Sequence, residues 1–306
     1  MKIRGVTFVG VRGVRDVTLD FAASSGTGSH DLVVVTGRAA SGKTRFLEAL
    51  VAAKEAIGAY GPMQPGEDFI LPGAEAAKVQ IAFQLDEEER VFAGTTNHVV
   101  EAEASFQLER IRGHADEGLS AVLSRYTHAA NRGKVEYFPS NRRLPNFGPF
   151  AGLSPAEQRM HRAGKEYRKY SFVVRFLASL QYDEGRANEF AARLQTLSPT
   201  VRYQHGVAYE GLPRCLVSHD GPRVSHDELS DSEQDAVLFA AAAQALGLGR
   251  SILLIDRPEL WLDRSQIKSF MSGLRNLGEN NQLIVASSSP EVAATEGAHV
   301  VSLDVT

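Results

Sequence analysis

Gly37-Arg38-Ala39-Ala40-Ser41-Gly42-Lys43-Thr44 fits the phosphate-loop pattern G-x-x-x-x-G-K-[ST] in full. The apolar run DLVVVTG before it reads as a buried strand, and TRFLEALVAAKEAI after it reads as a helix, which is the context the pattern requires. Phosphate is held by backbone N–H groups and the positive end of a helix. Gly37 and Gly42 therefore let residues 37–44 curl, Lys43 adds a point charge, and the Thr44 hydroxyl suits Mg²⁺. A turn that merely caps a helix is the simpler alternative, and the strand and amphipathic helix on either side argue against it.

Three further segments carry chemistry. Ser251-Ile252-Leu253-Leu254-Ile255-Asp256 is an apolar strand ending in a carboxylate, the placement from which an acid holds Mg²⁺ beside a phosphate loop. Leu229-Ser230-Asp231-Ser232-Glu233-Gln234 opens an apolar helix; Ser230 and Glu233 have capping-box spacing, and a capped helix start is also a place to receive a γ-phosphate. Arg257-Pro258-Glu259-Leu260 follows the acid directly, and Ser287-Ser288-Ser289 follows the strand QLIVAS. His114, His128, His161, His205, His219 and His226 have no metal-ligand spacing, and the lone Cys215 reads as core filler.

These segments need elements to place them. The start alternates as a hairpin, Lys2 to Val9 and Val14 to Phe21. VQIAFQLD, HVVEAEASFQLERI and KVEYFP read as successive antiparallel strands, with no helix expected between them. From 154 to 197 the periodicity turns helical, with a break at Asp183 to Gly185. Helices at Asp231 to Leu246 and Arg264 to Leu277 then alternate with the strands SILLID, QLIVAS and AHVVSLD. The expected organisation is a first core lobe over 1–150, a helical insertion over 151–197 and a second core lobe over 198–306. The expected class is an α/β phosphate-loop nucleotide-binding fold with an antiparallel β subdomain.

Composition sets outer limits. The 306 residues carry a net charge of −4, so no global field draws the chain to nucleic acid or to anionic membrane. Residues 151–195 hold eight Lys/Arg against five Asp/Glu, a mild local excess. One cysteine, no signal peptide and no bilayer-length apolar run lead to the expectation of a cytoplasmic protein with no membrane partner.

In their order the segments resemble the non-transporter ABC-class ATPases of the RecF, SMC and OLD-like group. FVGVRGVRDVTLDF is similar to that group's opening hairpin, GRAASGKT to its Walker A, LSDSEQ to its LSxGE signature, LLIDRPELWLD to its Walker B with D-loop, and LIVASSSPEV to its switch segment. YFPSNRR, residues 137–143, resembles a stretch of its small bacterial members. The resemblance implies Mg-ATP held between two copies, with Ser230 and Ser232 of one chain facing the nucleotide of the other. It also implies a nucleotide-driven homodimer and a protein partner on the helical insertion. Gln84, Ser140 and Asn141 are alternatives for the Q-loop position. The departures concern hydrolysis. Arg257 stands where the group has its catalytic glutamate, Ser288 where it has the switch histidine, and Ser232 where it has the signature glycine. Loss of a general base costs roughly 10² to 10⁴ in rate, and arginine cannot accept the proton. Glu259 is the candidate substitute base, but the group usually has a glutamate there beside its catalytic one, so a structural role near the dimer face is the favoured reading. Asp256, Arg257, Glu259 and Ser288 thus form the candidate catalytic set, and the expected activity is at most slow ATP hydrolysis, in a nucleotide-dependent switch or scaffold. The alternative is an active slow ATPase in a DNA-repair or phage-defence type of assembly; nucleic-acid binding rests on that analogy and on the mildly basic insertion.

Overall fold

A computed structural model describes residues 1–24, 26, 28–61, 65–124, 135–145, 161–205 and 214–304. Five parallel strands form its centre: β3 (Leu32–Thr36), β7 (Val135–Phe138), β11 (Ile252–Asp256), β12 (Gln282–Ala286) and β13 (His299–Ser302), in the order β13-β3-β12-β11-β7. β3, β11 and β12 are apolar at almost every position because both faces of the sheet are covered there, while the edge strand β13 alternates between partly buried and exposed residues. Val33, Val35, Ile252, Leu254 and Ile284 point into one core, while Leu32, Val34, Leu253, Ile255 and Leu283 point into the other. That division is the two-residue period of a strand.

On the first face lies α1 (Lys43–Ile57), and beyond it an antiparallel sheet of β2 (Val17–Asp20), β1 (Lys2–Val9), β4 (Ala77–Gln84), β5 (Val99–Gln107) and β6 (Arg110–His114), in that spatial order. α1 touches both sheets, which explains why residues all round it are buried, Glu48, Lys54 and Glu55 included. The second face carries α4 (Ser171–Ser179), α5 (Glu184–Leu197), α6 (Asp231–Ala245) and α7 (Arg264–Arg275). α4 and α5 share one core with α6 and α7 through Val173, Phe190, Phe239 and Phe270. The start of the helical segment, residues 151–160, lies outside the described residues, as does His128.

Several sequence expectations change here. The run HVVEAEASFQLERI is two strands, β5 and β6, paired across a turn at Leu108 and Glu109. Two short helices, α2 (Glu87–Ala93) and α3 (Glu117–Leu123), interrupt the β-rich stretch, each opened by an aspartate cap, Asp86 and Asp116. KVEYFP does not extend the antiparallel sheet: its strand β7 runs parallel to β11 and edges the central sheet. A small antiparallel sheet of β8 (Val201–Tyr203), β9 (Leu216–Ser218) and β10 (Arg223–Val224) adds to the expected elements. Among the described residues the helix expected through residue 180 is interrupted: residue 161 is helical, a turn follows at 162–163, a 3-10 turn spans Tyr167–Tyr170, and the helix resumes at Ser171. The last helix, α8 (Pro290–Ala293), follows β12.

Candidate functional site

The loop of 37–44 leaves the carboxyl end of β3 and turns into α1. Gly37 (φ 146°), Ala40 (φ 63°) and Gly42 (φ 94°) all carry positive φ. A Cβ on Gly42 would lie 1.9 Å from the Gly13 carbonyl oxygen, so only glycine fits the closed side of the curl. Gly42 is also the N-cap of α1 and offers no side chain, and the first turn of α1 has no acidic residue. By contrast α2, α3, α5, α6, α7 and α8 all start at a capping Asp or Ser. The free N–H groups at the start of α1 are thus left for an anion. Lys43 rests on the loop itself, its ammonium donating to the carbonyls of Gly37 at 2.8 Å and Arg38 at 2.7 Å. The Arg38 amide donates to the Asp304 carboxylate at 2.8 Å.

Thr44 and Asp256 come together from opposite ends of the sequence: the Thr44 hydroxyl donates to Asp256 Oδ2 at 3.0 Å. Asp256 is 1% exposed, and its Oδ1 makes no hydrogen bond of ordinary geometry among the described residues. Burial pushes its pKa above the usual aspartate value, against the opposing pull of the Thr44 and Ser140 hydroxyls and the Arg142 and Arg257 charges. A buried carboxylate with one oxygen spare, next to a threonine hydroxyl at a phosphate loop, fits a Mg²⁺ site in charge and donor type.

Arg142, which carries no assignment from sequence, fastens this end of the sheet. It is 3% exposed and grips Asp235 on α6 through Nη2 at 2.7 Å and Nε at 3.1 Å. It also donates to the carbonyls of Pro139 at 2.9 Å, Asp256 at 2.7 Å and Arg257 at 3.2 Å. Burial works against the cation, but Asp235 outweighs it and holds the Arg142 pKa above its ordinary value. One side chain therefore joins the 139–142 turn, the end of β11 and the helix that Ser230 starts. Of the three Q-loop alternatives, Ser140 reaches Asp256, whereas Gln84 pairs with Lys2 and accepts from Ser29, near the opposite end of β3.

The remaining positions are more open. Arg257 is exposed, with φ 49°; its amide donates to Ala286, and its guanidinium has no hydrogen bond or ion pair among the described residues. Ser288 is exposed as well. Its neighbour Ser287, fully buried and not singled out from sequence, donates to Glu259 Oε1 at 2.7 Å and accepts from the Ser289 amide at 2.9 Å. That bond ties Glu259 to the switch segment, while its Oε2 is buried and unbonded among the described residues. Ser230 forms the capping box with Glu233, and Ser232 lies 3.3 Å from the Ser230 hydroxyl. Burial raises the Glu233 pKa, but bonds from Ser218, Ser230 and Thr200 together bring it below the usual value. Among the described residues, no hydrogen bond or ion pair joins Ser230 or Ser232 to residues 37–44. Cys215 is buried and its thiol pushed up to about 12, so it is no nucleophile.

The sequence matches no family model and no curated protein. Its structure, however, superposes on an SMC head bound to the C-winged helix domain of ScpA, with a TM-score of 0.63 at 16% identity over 99% of this chain and 94% of the other. It also superposes on the SMC head domain from Thermotoga maritima (TM-score 0.52, 15% identity, 98% and 95% covered). The fold is that of the RecF and SMC ATPase heads. The recombination mediator protein RecF of the RecFOR pathway matches as well, with a TM-score of 0.50 at 12% identity over 98% of this chain and 96% of that one. At such identities the likeness is one of fold, the mixed α/β phosphate-loop head with its antiparallel and parallel sheets. No helix among the described residues is long and apolar enough to cross a membrane.

Proposed function

We infer that this head-fold chain binds ATP with Mg²⁺ at Gly37–Thr44, hydrolyses it slowly at most, and works as a nucleotide-dependent switch or scaffold. The observation that carries the reading is the pairing of Thr44 with Asp256 at 3.0 Å beside an uncapped start of α1. Thr44 and Asp256 would hold the ion, whose charge offsets that of the phosphates. Lys43 exchanges its two carbonyl partners for phosphate oxygens, and Ser140 occupies the Q-loop position. Hydrolysis is slow because exposed Arg257 replaces a base and Ser288 offers no charge, while Glu259 is held by Ser287. In this reading residues 1–150 and 198–306 form the two lobes of the core, and 151–197 is an insertion whose outer face takes a protein partner. An SMC head bound to a ScpA domain supports that analogy. Ser230, exposed at the start of α6, faces the nucleotide of a second copy.

Titration calorimetry with Mg-ATP tests the site: Lys43→Ala should lower affinity at least about tenfold, the equivalent of ~1.4 kcal/mol. Equal affinity would refute it. Light scattering tests the assembly, since Ser230→Arg should abolish an ATP-induced dimer that the wild type forms. A dimer that survives the change reduces LSDSEQ to a helix cap.

A further inference from the structure

A second cavity lies away from the phosphate loop. It occupies about 310 Å³ beside the outer edge of β7, between the 161–170 segment, α4, the start of α5 and the end of α6. That is the lower end of the range for small-molecule sites. α4 turns one face toward it, since Phe172, Arg175, Phe176 and Ser179 follow the i, i+3, i+4, i+7 spacing. Two aromatic rings and an arginine therefore line the same wall. Arg186 of α5 stands over the Phe176 ring, 5.4 Å from its centroid.

The floor holds an uncompensated charge. Lys169 is 4% exposed and donates to three carbonyls, of Tyr137 at 2.6 Å, Gly164 at 2.7 Å and Arg162 at 3.0 Å. No carboxylate pairs with it among the described residues. Among the described residues, the one acid on the wall, Glu136, is taken by Arg162. Burial, with the Arg162 and Arg142 charges, presses the Lys169 pKa well below the lysine value, as expected for a cation lacking a counter-ion. The carboxyl end of α6, at Ala245 and Leu246, offers about half a negative charge in opposition. Among the described residues, the charges of Lys169 and Arg186 outnumber it.

We propose that this cavity binds a small organic anion, a phosphate or carboxylate carried on a flat apolar body, with Arg175 and Arg186 facing the anion, Lys169 adding its charge from the floor, and Phe172 and Phe176 facing the body. The site is separate from the nucleotide loop and does not depend on how that loop is read. Calorimetry on the full chain carrying Lys43→Ala, with phenyl phosphate, inorganic phosphate and phenol as probes, tests it. Phenyl phosphate should bind about tenfold more tightly than either fragment, because it alone meets both walls. Arg175 and Arg186 are exposed, so Arg175→Glu and Arg186→Glu should leave the melting temperature in place and weaken phenyl phosphate about tenfold each. Undiminished binding by an Arg175→Glu, Arg186→Glu double variant overturns the site, as does the absence of phenyl phosphate binding to the parent chain.

Discussion

The two sides of the nucleotide site are built differently. On the gripping side, Thr44 and Asp256 sit at the ends of elements buried between two layers, and Arg142 binds their supports together with six hydrogen bonds to four residues. On the hydrolytic side, Arg257 and Ser288 stand exposed, and no side-chain bond holds the Arg257 guanidinium among the described residues. A residue that also holds the fold together is costly to exchange, whereas an exposed one is free to drift. On the proposed reading, the supports of the phosphate grip are fastened by Arg142, while the positions assigned to hydrolysis carry no such tie.

The strongest way to break that contrast is to remove Arg142. Arg142→Ala leaves Asp235 buried without its cation, a loss of about 3–5 kcal/mol. At about 2 °C per kcal/mol for a chain of this size, the melting temperature should fall by roughly 6–10 °C. Lysine should not rescue it, having no planar fork for Asp235. A melting point within a degree or so of wild type would show that the gripping side is no better anchored than the hydrolytic one.

Arg142 also marks where sequence reading ends. The loop of 37–44 and the capping box of Ser230 are legible because the residues that define each pattern lie within a few positions of one another. Arg142 meets Asp235 and Asp256 across 93 and 114 positions, and nothing local in YFPSNRR announces either contact. The direction of β7 escapes the sequence for a related reason: an apolar strand does not say which sheet it joins. α2 is within reach, since Asp86 and Glu89 form a capping box plain in the sequence, but the alternation on either side masks it. The bond between Ser287 and Glu259 is hidden in a run of three serines, where only folding decides which hydroxyl is buried.

A smaller effect sharpens the hydrolytic half of the comparison. Arg257 already has φ 49°, so glutamate in its place is no more strained than arginine. Arg257→Glu supplies a base but leaves Ser288 and Ser232 as they are. The ATPase rate should rise about tenfold, short of the roughly 10² to 10⁴ a complete general base gives. ATP should also dissociate faster, as a cation near the phosphates is lost. A wild-type rate on the order of 10 s⁻¹ would reverse the picture and make Glu259, released from Ser287, the base.

The smallest effect lies on the gripping side and has the opposite sign from most substitutions in a core. Burial raises the Asp256 pKa, so the folded state holds the proton more tightly than the unfolded chain does. The associated stability is complete below the unfolded aspartate pKa, is lost as pH rises through the folded value, and is gone at pH 7, where the ionised carboxylate is a burden on the free protein. An asparagine in its place would keep an oxygen for the Thr44 hydroxyl and discard the charge. Asp256→Asn should therefore raise the melting temperature at pH 7 by about 2 °C, or ~1 kcal/mol, with the advantage shrinking as pH falls toward 4. Mg-ATP should stabilise the wild type more than the variant, because only the carboxylate gains from a divalent ion. Melting curves from pH 4 to 7, with and without Mg-ATP, decide the matter. A variant less stable than wild type at pH 7 would mean that Asp256 is held in place for structure, and the gripping side would lose its character as a site kept at a cost to stability.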